Sequence, residues 1–203
     1  MNFRAILVAA LLSASPAWAI DSVRMVIAAD AGGGWDTTGR TLGKALVASG
    51  GVKNVQYENR PGAAGAIALA QFVNSSRGDP GALLVGGTAL AVSVVQNQSA
   101  VTLSQVTPIA RLVWESKGVT VARTGAELAN WHGVFAAPAI TVAQRDELVK
   151  AVEVATRSRE WQESLKPGDR VAAWLAGDAY ATFLEAESKR INDSFGQAGP
   201  GRK

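Results

Sequence analysis

Side chains able to do chemistry are scarce in this chain, which directs attention to its backbone. The 203 residues include one histidine, His132, and no cysteine. A thiolate nucleophile, a thiolate metal site and a disulfide are therefore excluded, and a histidine-bearing triad or a multi-histidine metal centre is poorly supplied. There is no Gly-x-Ser-x-Gly elbow, and no spacing of carboxylates points to acid–base catalysis. The expectation is a protein that is not an enzyme, with no catalytic residue, no metal site and no cofactor. What the sequence does offer is two small-residue loops, Ala31-Gly32-Gly33-Gly34-Trp35-Asp36 and Pro61-Gly62-Ala63-Ala64-Gly65. Glycine lets the main chain approach a ligand closely, and the first turn of a helix carries N–H groups with no partner inside the helix. Loops of this kind bind anions, small carboxylates among them; the alternative is a pair of tight βα turns without a ligand. A dinucleotide fingerprint does not fit, because the third glycine after Gly32 and Gly34 is due at position 37, where Thr37 stands.

These loops need strands before them and helices after them. Val23 to Ala28 reads as a first strand, and Asp36 or Thr37 can cap a helix carrying Leu42, Ala45 and Leu46. Asn54 to Tyr57 is a second strand, followed past the Pro-Gly loop by a helix with Ile67, Ala70 and Val73 at helical spacing. Asp79-Pro80-Gly81 marks a turn, and Ala82 to Val85 a third strand ending in Gly86-Gly87-Thr88. Strands alternating with helices predict βαβ units, a largely parallel sheet, and small loops gathered at its carboxyl edge, where ligands sit in such folds. Ile109 to Val113 and Val119 to Ala122 read as further strands, with a turn at Glu115 to Gly118 between them. The remainder reads as helical. Thr141 and Gln144 form a capping box, with Leu148, Val152 and Ala155 on one face of the helix it starts. Arg159 to Leu165 is a short helix stopped by Pro167-Gly168, and Asp178 can cap a last helix bearing Tyr180, Phe183, Leu184 and Ile191.

The two loops, as "AGGGWD" (31–36) and "ENRPGAAGAIA" (58–68), resemble the periplasmic solute-binding receptors of tripartite tricarboxylate transporters. The resemblance continues through "ALLVGGTALAV" (82–92), "TPIARLVWESKGVTVA" (107–122), "LANWHGVFAAPAIT" (128–141), "REWQESL" (159–165) and "AGDAYATFLEAE" (176–187). It implies a type II periplasmic-binding-protein fold and a small di- or tricarboxylate ligand, handed on to integral membrane subunits of a transporter. The ligand-binding residues it implies are Ala31, Gly32, Gly33, Gly34, Trp35, Asp36, Pro61, Gly62, Ala63, Ala64, Gly65 and Thr88. Trp35 either walls the pocket or is a partly buried aromatic. Asp36 suits a helix cap better than a ligand contact, since a second negative charge beside a carboxylate is unfavourable. Arg60 serves either the ligand or Glu58. At His132 the family commonly has Arg, and at Ala31 it has proline. In the family the chain crosses near residue 122 into a second lobe and returns through an Asn-Trp-x-Gly segment. Here Asn130-Trp131 follows after a few residues, so most of the second lobe is missing.

The expected organisation is an export signal over residues 1–19, with Arg4, an apolar core at Ala5 to Leu12 and Ala17-Trp18-Ala19 before a mature start at Ile20. A first α/β lobe (20–122), a truncated crossover with its returning strand (123–137), a C-terminal helical segment (138–195) and a flexible tail (196–203) complete it. This places the protein in the periplasm. The net charge of +3 is weak and dispersed, which argues against nucleic acid as a partner. Removing a lobe beyond two antiparallel crossover segments leaves a hairpin, with arms of about Gly118 to Ala122 and Leu128 to Phe135 and Gly125 near its turn. One lobe cannot close over a solute, so the implied receptor is weakened. The other reading is a one-lobed interaction protein, or remnant, that binds no solute.

Overall fold

A computed structural model of the chain describes residues 20–166 and 169–197. The expected export signal, the Pro167-Gly168 stop and the last six residues of the tail lie outside these. β1 (Ser22–Ile27), β2 (Asn54–Asn59) and β3 (Ala82–Gly87) are parallel, with α1 (Gly34–Ala48) and α2 (Ala66–Ser75) as crossovers. α3 (Thr88–Gln96) leaves the end of β3. The sheet then continues antiparallel through β5 (Ala126–Ala136), β4 (Thr107–Val121) and β6 (Arg170–Ala176), giving the order β2-β1-β3-β5-β4-β6. It is thus an α/β fold whose parallel half carries the expected βαβ units.

Helices cover both faces, which is why β1 and β3 are apolar almost throughout instead of alternating. α1 lies on the face of Met25 and Ile27: a Cβ added to Gly39 would come within 3.1 Å of Ile27 and 3.4 Å of Met25. α4 (Val142–Thr156) and α5 (Arg159–Leu165) pack beside α1, burying Leu148, Val152, Ala155 and Trp161. The Thr141–Gln144 capping box forms at the start of α4. On the opposite face α6 (Gly177–Gln197) sets Tyr180 and Phe183 against Trp131 and Phe135 of β5. Such ring pairs contribute about 0.5–1.5 kcal/mol each beyond area burial.

The 118–135 hairpin is present. Val119 pairs with Leu128 and Val121 with Ala126, and the N–H groups of Thr124 and Gly125 donate to the Val121 carbonyl at 3.0 and 2.7 Å. Gly125 has φ +70°, a left-handed conformation that glycine takes without steric cost. A four-residue connection joins β4 to β5, and the described residues build one sheet around one core.

Three local expectations fail. Glu115 to Gly118 is not a turn: β4 runs straight through, and the polar residues are absorbed by a register break between Glu115 and Val119. Residues 170–176 are not helical but form β6, because an open antiparallel edge beside β4 overrides the weak helical pattern of Val171-Ala-Ala-Trp-Leu-Ala. The inner face of α2 is Ala68, Leu69 and Phe72, while Ile67 is 48% exposed, because the 3-10 turn at Ala63–Gly65 rotates the helix start.

Candidate functional site

The carboxyl ends of β1, β2 and β3 bring the candidate residues together around one side chain. Trp35, in the first turn of α1, is buried, and its indole lies between two loops. A Cβ on Gly65 would come within 3.1 Å of it, and one on Gly87 within 3.0 Å of its Nε1. A Cβ on Gly87 would also collide with the Trp131 carbonyl. Small residues at these two positions are therefore what lets the loops after β2 and β3 close on the start of α1. The indole also meets the His132 ring edge-on, with centroids 6.4 Å apart.

Asp36 fixes the first loop. It is the third residue of α1, whose N-cap is Gly33 without a side-chain cap, so Asp36 does not cap the helix from outside as expected. Its carboxylate instead reaches back to accept the Gly32 N–H at 2.9 Å, and it also accepts from Arg40 Nε and Asn59 Nδ2 at 2.9 Å. Asn59 donates in addition to the Ala29 carbonyl at 3.0 Å and accepts from Arg40 at 3.0 Å. Burial alone would raise the Asp36 carboxyl, but the hydrogen bonds from Arg40, Gly32 and Asn59 outweigh it and bring the pKa down to about 2. Asp36 is thus a permanent anion committed to holding loop, helix and β2 together, and the Gly32 N–H is already used. Ala31, Gly32, Gly33 and Gly34 are exposed, and the first N–H groups of α1, from Gly34 on, have no acceptor within the helix.

The second loop is strained. Gly62, Ala63, Ala64 and Gly65 have φ of 122°, 47°, 48° and 94°, a run of four left-handed residues of which two carry a Cβ. Non-glycine residues in this region cost about 1–2 kcal/mol each and cluster at functional sites. The turn is held by Gly65 N–H to Gly62 C=O at 2.9 Å and by the Ser93 hydroxyl donating to the Ala63 carbonyl at 2.5 Å. Ala63 and Ala64 are exposed beside Pro61. Arg60 serves Glu58, donating from Nε at 2.7 Å, and also donates to Gln71.

Thr88 is placed differently from the loop residues. It is buried, its hydroxyl donates to the Ala129 carbonyl at 2.8 Å and accepts the Trp131 N–H at 2.9 Å, so it locks α3 to β5. Its hydroxyl is fully engaged in that role.

Four polar residues at this edge carried no functional expectation, and His132 was read as structural. His132 pairs with Gly87 across β5 and β3, is 2% exposed, and bonds Thr38 Oγ1 through Nδ1 at 2.9 Å. Burial first, and then the Arg170 guanidinium, bring its pKa down to about 4, so the ring is neutral at pH 7. Its 3.4 Å approach to Glu115 is therefore not an ion pair under neutral conditions. Glu115 accepts from Asn130 Nδ2 at 2.7 Å, and Arg170 donates to the Ser164 carbonyl at 3.1 Å and to Thr38 at 3.5 Å. Asn59, Glu115 and Asn130 stood inside the motifs that carry the family resemblance, which is the one signal that marked them; nothing singled out Arg170.

Among the described residues no group of His, Asp or Glu is arranged to hold a metal, and no helix is long and apolar enough to cross a membrane. A cavity of about 780 Å³ lies elsewhere, between α3 and α6, and none of the candidate residues lines it.

No protein-family model matches the chain, and no curated protein sequence does. Solved structures do. A TctC solute-binding protein from Polaromonas, without ligand, superposes with a TM-score of 0.76 at 14% identity, over 87% of this chain and 98% of its own. MatC from Rhodopseudomonas palustris, with bound malate, gives 0.69 at 13%, over 85% and 98%. A further R. palustris protein, with adipate, gives 0.67 at 13%, over 90% and 99%. The chain is built on the fold of TctC-type periplasmic solute-binding proteins.

Proposed function

We propose that this protein is a one-lobed, receptor-like periplasmic binding protein for a small di- or tricarboxylate, associated with the membrane subunits of a tripartite tricarboxylate transporter, and not an enzyme. The observation that carries this reading is the meeting of the loops 31–36 and 61–65 on Trp35, with exposed main chain at the start of α1 and a strained left-handed turn facing it. Backbone N–H groups at a helix start suit a carboxylate without a dedicated lysine or arginine. Ala31, Gly33, Gly34, Pro61, Gly62, Ala63 and Ala64 are the proposed ligand-facing positions. Trp35 and Gly65 shape the wall, while Asp36, through Gly32, and Thr88 hold the frame. Two of the structural neighbours carry malate and adipate, which is the same ligand chemistry.

The proposed ligand site is open to water on one side, because the hairpin turns back where a second lobe would begin. Tight small-molecule sites bury most of the ligand, and contacts left in high dielectric are several-fold weaker. The expected affinity is therefore weak. Calorimetry with malate, adipate and citrate tests the reading. Saturable binding in the range of about 0.1–10 mM, roughly −5.5 to −2.7 kcal/mol, and lost on Gly34→Val, supports it. Undetectable binding of all three favours the second reading, a one-lobed interaction protein, which the exposure of both loops also suits.

A further inference from the structure

The polar group beside the start of α1 contains a charge that the proposed role does not use. Glu115 is brought there by β4, opposite Asn130 on one side and Arg170 on the other, at the point where the register of β4 breaks. Its Oε2 is held by Asn130 at 2.7 Å. Its Oε1 lies 3.4 Å from His132 Nε2 and 2.9 Å from where a Cβ on Gly34 would stand. Gly34 is the first helical residue of α1. The carboxylate of Glu115 thus sits against the helix start to which the proposed ligand presents its own.

Among the described residues no ion pair with a lysine or arginine holds it there, and Arg170, opposite it on β6, is turned to other acceptors, Ser164 and Thr38. His132 is uncharged at pH 7. Its side chain is 25% exposed, so the charge is felt at the mouth of the site instead of being buried behind it. Asp36 is a second fixed anion, in the same first turn of α1, but its charge is matched by Arg40. Glu115 is the unmatched one.

We infer that Glu115 is the specificity-determining residue of this site, filling the anion position at the start of α1 and discriminating against ligands in proportion to their negative charge. The inference rests on the carboxylate-binding reading. A like charge a few ångströms from a bound anion costs several-fold in affinity at a surface, and each further ligand charge adds to the penalty. A monocarboxylate meets one repulsion and citrate meets three. The carboxylate stands beside Gly34, which is itself exposed, so a ligand at this helix start binds next to it.

The test is Glu115→Gln, which keeps an acceptor for Asn130 and removes the charge, with acetate, malate and citrate as probes in calorimetry at pH 7. The expected gain in affinity over the unaltered protein is about threefold for acetate and rises to about tenfold for citrate. It shrinks as salt is raised, because exposed charges are screened. Glu115→Asp, which retains the charge, leaves the order of affinities as it was. Equal gains for the three acids, or none, overturn the inference while leaving carboxylate binding intact. If neither the protein nor Glu115→Gln, shown folded by its thermal transition, binds any of the three, carboxylate binding itself fails and the inference falls with it.

Discussion

His132 makes the stability of this fold sensitive to mild acid, and the size of the effect follows from its surroundings. The ring is 2% exposed, receives a hydrogen bond or gives one at Thr38, and faces Arg170 and Glu115. Its pKa is about 4 in the folded chain, against about 6.5 in an unfolded one. The folded state therefore holds the neutral form, and the unfolded state takes up the proton first as pH falls. The contribution is fully present above about pH 6.5, is lost progressively below it, and is gone by about pH 4. Linkage gives a loss of about 2 kcal/mol between pH 7 and pH 5, approaching about 3 kcal/mol at lower pH. With a urea slope of about 2 kcal/mol per molar, the unfolding midpoint moves down by about 1 M. His132→Gln removes the titration and leaves every carboxylate in place, so the midpoints of the two proteins measured at both pH values isolate the term. The variant starts from a lower stability at pH 7 but loses about 2 kcal/mol less on acidification. Because the chain has a single histidine, its ring resonance reports the same equilibrium without ambiguity. Parallel loss of stability in the two proteins, or a ring that titrates near 6.5, refutes the reasoning.

Other perturbations follow from the same edge of the sheet. Thr88→Val strands the Ala129 carbonyl and the Trp131 N–H at once and is expected to cost about 2–4 kcal/mol, read from urea unfolding. Gly125→Val forces a β-branched residue to φ +70° in open space, so it should destabilise the hairpin by about 1–2 kcal/mol and speed amide exchange at residues 118–128 before the rest of the sheet. Asp36→Asn removes the charge that gathers Gly32, Arg40 and Asn59; it is expected to loosen loop 31–34, seen as faster amide exchange there, and to abolish carboxylate binding measured by calorimetry.

Much of this edge was legible in the sequence because it is written in residue types with narrow physical meaning. Glycine at 62 and 65 announces left-handed backbone, and Gly65 and Gly87 are small where an indole has to pass; the sequence places all three but does not reveal the indole. The hairpin was legible for a different reason: motifs that flank a lobe in the resembled receptors stand a few residues apart here, and Gly125 falls at the turn. Ala63 and Ala64 were not legible as left-handed, since alanine disfavours that region and is held there by the Gly65 to Gly62 turn and by Ser93 of a distant helix. β6 escaped because its pattern suits a helix equally well, and its identity depends on a free edge that exists only once β4 is in place. The grouping of Glu115, Asn130, His132 and Arg170 is a product of strand register across three strands, which no local pattern encodes.

The candidate site is organised from within one sheet and its helices, which bears on how the proposed binding would respond to an open surface. Each loop is fixed by partners on its own side: loop 31–34 by Asp36, loop 62–65 by its internal turn and Ser93, and the β3 end by Trp35 packed against Gly87. None of these restraints depends on a closed cleft. Geometry and burial therefore separate: the main-chain donors keep their placement, while the exclusion of water that makes such donors strong is reduced. In the open state a neighbouring charge such as Glu115 is screened, so it sets a graded preference; in a closed, low-dielectric cleft the same carboxylate would be prohibitive to a polyanion. A glutamate without an ion-pair partner at the proposed carboxylate site is thus compatible with the proposed binding as long as that site stays open to water.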